Sequence, residues 1–461
     1  MNSDSISTKP RLGFAYVLLI LAIITALIFS VIMRSPSVMI AFLSFGFLGV
    51  LLSHKAGKSA SHLFIIVYCA NVLIAIIIYI FYMNYYGTPY YYGGSDDLNY
   101  ELYAKQIATN TSLLEYSVIR DIVGYYNNSV GYIYLVSILY RIGELWGGFN
   151  TMLPRFFNAM LLGWIAVITF VLARRNQVIH EMANNIALFV GLLPIMTFNA
   201  AHTFRDILVS LLIIWGVFQW DNAIISATRS KIIKAWLWTA IVAAIIWETR
   251  QVLVFPLLII ALVCNSFILK PRWVSGKGSV LYRIAMLCML LAAATQITSE
   301  TASEMVLEPV VFYARTYTDY RLSISSGISN YIFSAPLPIS VFLRIAYGLI
   351  YPLPIIGQHF EELFQGAGTL LHFAFLPFLA LGFPLAFRSQ NGRLWSLSFI
   401  SFYSASLFTF TSRHIVVFIP YAALIVAQGY LAYHKYRVDI WIMMMIFGVL
   451  MSIVYIFIKF L

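Results

Sequence analysis

Four short polar clusters interrupt an otherwise apolar chain, and each carries residue types able to do chemistry. The first is Ser95-Asp96-Asp97, within the run Pro89-Tyr-Tyr-Tyr-Gly-Gly-Ser-Asp-Asp-Leu-Asn-Tyr-Glu. Two adjacent carboxylates can supply a general base with a neighbour that shifts its pKa or shares a divalent metal. The plainer alternative is a helix start, with Ser95 as cap and both aspartates at the positive end of the dipole. The second cluster, His202-Thr-Phe-Arg-Asp206, places Arg205 and Asp206 inside an apolar stretch from Asn184 to Trp220. That stretch exceeds one span and suits a tight hairpin with the charged pair at its tip, where snorkelling alone explains the charges. The third is Glu248-Thr-Arg250 and the fourth Arg413-His414. Arg205, Arg250, Arg413 and His414 are the cations available for a phosphate or pyrophosphate, against the alternative of ordinary loop polarity.

The elements that must position these residues are read from composition and run length. Apolar residues make up 61% of 461 positions and charged residues 10%, so no water-soluble surface can be covered and lipid is the solvent. About thirteen membrane helices are expected from run length and flanking charge. They fall near 12–33, 37–53, 62–83, 155–173, 183–201, 204–221, 235–248, 251–269, 279–297, 366–387, 394–410, 415–432 and 440–459. The fold class is therefore an all-α integral membrane protein. It forms one polytopic domain over 1–461, with large outer loops at 84–154 and 298–365. Val130 to Trp146 and Pro338 to Pro354 are short, carry Arg141 and Arg344, and read as helices lying in the interface. Leu98, Leu102, Tyr103 and Ile107 mark the apolar face of a helix opened by Ser95. Cys69, Cys264 and Cys288 lie in or beside apolar runs with no metal-ligand spacing, as packing residues do.

Charge sets the orientation. With the N-terminus inside, inner segments hold 17 of the 29 basic residues and only the acids Asp4, Glu181, Asp221 and Asp439. The net charge of +11 is thus a positive-inside signature and calls for no nucleic-acid partner. The acids gather instead in the two outer loops, as expected of an enzyme or receptor acting on that side.

From Gly93 to Asn222 the order of features resembles the GT-C superfamily of membrane glycosyltransferases, which includes lipid A aminoarabinose transferases and protein O-mannosyltransferases. The matching features are Asp96, Asp97 and Tyr100 opening an interfacial helix, a second such helix from Gly131 to Trp146, and a span from Arg155 to Arg175. A further span then leads to the outer Arg205-Asp206. The resemblance implies transfer of a sugar from a polyprenyl-(pyro)phosphate donor to a hydroxyl of a glycan or glycolipid acceptor, within membrane lipids at the non-cytoplasmic face of a cell membrane, the bacterial inner membrane. It places the base or metal partner at Asp96 and a second acid at Asp206. It also implies that Arg315, Arg321, His359 and Glu361 of the second loop line a substrate entrance. No cofactor is required, although a divalent metal is compatible. A polysaccharide polymerase joining lipid-linked repeats shares this layout. A lipid-linked sugar flippase is the alternative of another class, but would favour charges at mid-membrane depth and related halves.

The topology is testable with an impermeant thiol reagent. Cysteines at Gly94, Arg205 and Gly357 are expected to react from the outer side, and cysteines at Arg175, Lys231 and Arg393 from the inner side. Labelling of position 205 from the cytoplasm would mean that Val130 to Trp146 crosses the membrane.

Overall fold

Long aliphatic runs leave the helix as the way to satisfy backbone groups away from water, and helices dominate the computed structural model. It describes residues 9–92, 94–112, 115–124, 127–268, 319, 322, 328–336, 339–350, 360–407 and 412–460. Among these residues there is no strand, and seven helices are long and apolar enough to cross a membrane, or eight if one bent pair counts as a span. Their lateral faces expose Val31, Phe47 and Ile77, each more than half accessible, as a lipid-facing surface requires. The expected span at 279–297 lies outside the described residues. The fold divides into two compact units, Met1–Ile214 and Trp215–Leu461.

In the first unit α1 (Lys9–Ile32), α2 (Pro36–His54), α3 (Lys58–Tyr86), α7 (Met152–Arg175) and α8 (His180–Leu192) form a bundle around α3. Asn71, buried in the middle of α3, donates to the Gly191 carbonyl of α8 at 3.0 Å and so joins the two helices through a polar bond. The expected span 183–201 is not one straight helix. It is α8 followed by α9 (Pro194–Ala200), bent by 52°. Pro194 lacks an N–H and pushes Leu193 to extended backbone (φ −60, ψ 130), which ends α8.

The long segment between α3 and α7 carries α4 (Asp96–Asn110), α5 (Tyr116–Val123) and α6 (Val130–Leu145), with a core of Tyr100, Ala104, Ile107, Ile119, Val123, Val130, Ile133 and Val136. Arg141 of α6 donates to the carbonyls of Ile107 and Thr111, closing the C-terminal end of α4 where a cation complements the dipole. The buried face of α4 differs from the expected one. Asp97, Tyr100, Glu101, Ala104 and Ile107 face inward, while Leu102 is 50% exposed. The carboxylate-bearing face turns in because the protein supplies hydrogen-bond donors there.

The second unit contains α10 (Asp206–Ser226) from Trp215 onward, α11 (Arg229–Arg250), α12 (Val254–Val263), α13 (Ile328–Ser334), α14 (Ile339–Ile350), α15 (Phe360–Ala386), α16 (Gln390–Ser406), α17 (Ile419–Ala432) and α18 (Arg437–Phe460). Its most extensive helix pair is α15 with α17. Gly382 and Gly429 face each other there: a Cβ at Gly382 would lie 2.1 Å from the Ile425 carbonyl oxygen, and one at Gly429 2.1 Å from that of Phe378. Backbone cannot yield as a flexible side chain can, so both positions require glycine. Gly429→Ala should destabilise the purified protein by about 1–3 kcal/mol. Gly448→Ala on α18, where nothing lies within 4 Å of the added methyl, should be neutral or slightly stabilising. Equal melting temperatures for the two variants would refute the close-packed pair.

Candidate functional site

The two acids on the inner face of α4 stand one helical turn apart, at i and i+4, so both side chains point into the same enclosed space. Asp97 is fully buried. Its Oδ2 accepts the Tyr91 backbone N–H at 2.9 Å and its Oδ1 the Leu98 N–H at 3.0 Å. Glu101 is buried and accepts three hydroxyls: Thr203 at 2.8 Å and Thr151 on Oε1, and Tyr90 at 3.0 Å on Oε2. Arg155 of α7 is fully buried beside them, donates through Nη2 to the Pro89 carbonyl, and lies over the Tyr79 ring at 5.7 Å. Residues 89, 90 and 91 are therefore held by Arg155, Glu101 and Asp97 in turn.

Burial raises both carboxyls above their ordinary range. For Asp97 the Tyr91 N–H and then the Arg155 charge pull it back down, and for Glu101 the Thr151 hydroxyl and then Arg155 do so. Burial, with Glu101 adjacent, also raises the Tyr90 hydroxyl, which stays a donor at neutral pH.

The turn between α9 and α10 closes the same space. His202 is buried among Tyr82, Phe198 and Phe204; its Nδ1 meets the Phe198 carbonyl at 2.7 Å and its Nε2 the Tyr82 hydroxyl at 3.2 Å. The carbonyl makes Nδ1 the donor, leaving Nε2 to accept from Tyr82 in the neutral ring. Asn158 of α7 donates to the carbonyls of His202 and Phe204, both at 2.9 Å. Arg205 and Asp206, expected at an exposed hairpin tip, are 8% and 3% accessible. Arg205 does not snorkel: its Nη1 donates to the Asn128 carbonyl at 2.8 Å, to Asn128 Oδ1 at 2.7 Å and to Ser129 Oγ, tying this turn to the start of α6. A cysteine at 205 is accordingly shielded from thiol reagents, and the exposed Gly94 is the better reporter of this face.

Asp96 stands differently from Asp97. It is half-buried at the first position of α4, on the rim of the cluster. Ser95 makes no side-chain cap to the backbone; its Oγ accepts from Asn99 Nδ2 at 3.1 Å instead. This end of the first unit is where α3 finishes and α7 begins, so Lys55, Lys58, Arg174 and Arg175 lie at the opposite end.

In the second unit Arg250 and His414 are buried and line one narrow recess, walled by Val252, Leu253, Phe402, Ala405 and Ser406. Arg413 is half-buried beside His414 on a 3₁₀ turn, Ser412–Val417. Glu248 and Arg250 occupy the last turn of α11 rather than a loop. Arg315, Arg321 and His359 lie outside the described residues, and Glu361 is placed only as a residue of α15. A divalent metal would need ligands beyond these: among the described residues no three His, Cys, Asp or Glu side chains come together, and both oxygens of Asp97 accept backbone N–H groups. Glu101, Thr151 and Thr203 were not among the residues singled out from sequence, although the i, i+4 spacing of Asp97 and Glu101 and the lone Arg155 in an apolar run were legible. No protein-family model matches the chain, and no curated protein is significantly similar to it.

The charge balance has a measurable consequence. A carboxyl whose folded pKa lies above its unfolded value contributes stability that is present below the unfolded pKa and lost as pH rises through the folded one. Arg155 lowers both carboxyls, so Arg155→Met raises them further and moves that loss toward neutral pH. The variant's melting temperature should fall increasingly below the parent's between about pH 5 and pH 8, with the smallest gap at the acid end. A gap independent of pH would show that Arg155 does not support the carboxylate charge.

Proposed function

We propose that the chain is a membrane glycosyltransferase that moves a sugar from a polyprenyl-(pyro)phosphate donor to an acceptor hydroxyl on the non-cytoplasmic face. The observation that carries this reading is the position of Asp96. It is a half-buried carboxylate on the rim of an enclosed acid–arginine cluster, at the end of the first unit opposite Lys55, Lys58, Arg174 and Arg175. The basic end is then cytoplasmic by the positive-inside rule, the chain crosses an inner cell membrane about thirteen times, and Asp96 faces the outer compartment.

In this mechanism Asp96 takes the proton of the acceptor hydroxyl as its oxygen attacks the anomeric carbon. The bond from that carbon to the phosphate oxygen breaks in the same displacement, the configuration inverts, and the electron pair leaves with the lipid phosphate. The paired aspartates have separate tasks: Asp97, saturated by backbone donors, fixes the start of α4, while Asp96 meets the substrate. Asp206 is buried at the start of α10.

The test is transfer by purified protein in nanodiscs supplied with a panel of polyprenyl-phosphate and polyprenyl-pyrophosphate sugars, read by mass spectrometry. One added sugar is the expected product, and Asp96→Asn should lower turnover about 10²–10⁴-fold while the protein stays folded, because asparagine also serves at a helix start. Near-normal turnover by Asp96→Asn removes it as the base. A ladder of repeats assigns the chain to polymerisation instead, and movement of lipid-linked sugar across the bilayer without transfer assigns it to transport.

A further inference from the structure

We infer that Glu101 is a positioning residue that sets the distance between the segment carrying Asp96 and the turn carrying Asp206; this rests on the reading of Asp96 as the base. Its carboxylate joins three separate stretches of chain. Tyr90 belongs to the segment leading into α4, Thr151 directly precedes α7, and Thr203 belongs to the turn that leads into α10. Because Glu101 lies one turn after Asp97 on the same face, a shift in its reach moves the start of α4 as a unit. Nothing in the geometry brings Glu101 to the rim, so it acts through Asp96 rather than on substrate: Glu101 is 6% exposed and all its hydrogen bonds are internal.

Length and charge at this position make opposite demands on two conservative variants. In Glu101→Gln the amide oxygen still accepts from Thr151 and Thr203, and the amide nitrogen donates to the Tyr90 oxygen, so the three-way tie survives without its charge. In Glu101→Asp the charge stays, but the side chain is one methylene shorter and cannot reach all three partners. A displacement of about 1 Å at a reacting group is enough for a hundredfold loss of rate.

The experiment compares both variants with the parent in nanodiscs by transfer kinetics, thermal unfolding and amide hydrogen exchange over residues 88–92 and 201–206. Glu101→Asp should lose about a hundredfold in kcat at unchanged donor KM, and Glu101→Gln should stay within about threefold. Exchange in both segments should accelerate together in Glu101→Asp and remain near the parent's in Glu101→Gln. Equal losses in both variants, or rates that merely follow melting temperature, overturn the positioning role. If the parent shows no transfer, the proposed activity fails, and the exchange arm still decides: unchanged exchange in Glu101→Asp overturns the clamp.

Discussion

The α4 end of the first unit follows from enclosing two carboxylates and one guanidinium away from water. A buried charge is costly unless it is paired and hydrogen-bonded, and Arg155 bears part of that cost, its Nε and Nη1 making no hydrogen bond. Asp97 and Glu101 meet that demand with Arg155, two backbone N–H groups and three hydroxyls drawn from four parts of the chain. The requirement orders the architecture around it. It turns the polar face of α4 inward, leaves Leu102 outside, and pins residues 89–91 against the bundle.

The apolar faces obey a different logic. In lipid there is little hydrophobic gain from helix association, so close contact and occasional polar bonds hold the helices together. The backbone approach at Gly382 and Gly429 and the bond from Asn71 to Gly191 are the two forms this takes here. Such packing gives each unit a rigid frame.

Charged residues that look alike in sequence take different duties under these constraints. Arg205 and Arg250 both close an apolar run, yet Arg205 bonds Asn128 and Ser129 at the start of α6, while Arg250 lies beside His414, Phe402 and Ser406 in the second unit. Adjacent Asp96 and Asp97 diverge as sharply, since consecutive helical positions point about 100° apart and only one can face the cluster. Arg141 and Arg155, both read from sequence only as charges near apolar runs, become a helix-end partner and a counter-ion.

Much of the fold was legible because lipid imposes length and polarity directly on the chain. Apolar runs mark the membrane helices, and most acids of the first unit gather at one of its ends. The bend at Pro194 was also written in the residue type, although run length concealed it. What sequence could not decide was which polar residues meet. Thr151 and Thr203 lie far from Glu101 along the chain, and the exposed-tip reading of Arg205-Asp206 failed because α4 to α6 cover that turn. Local pattern reports the face a helix presents, but the partner of a buried charge is chosen by whichever distant donors the tertiary fold brings within hydrogen-bond reach.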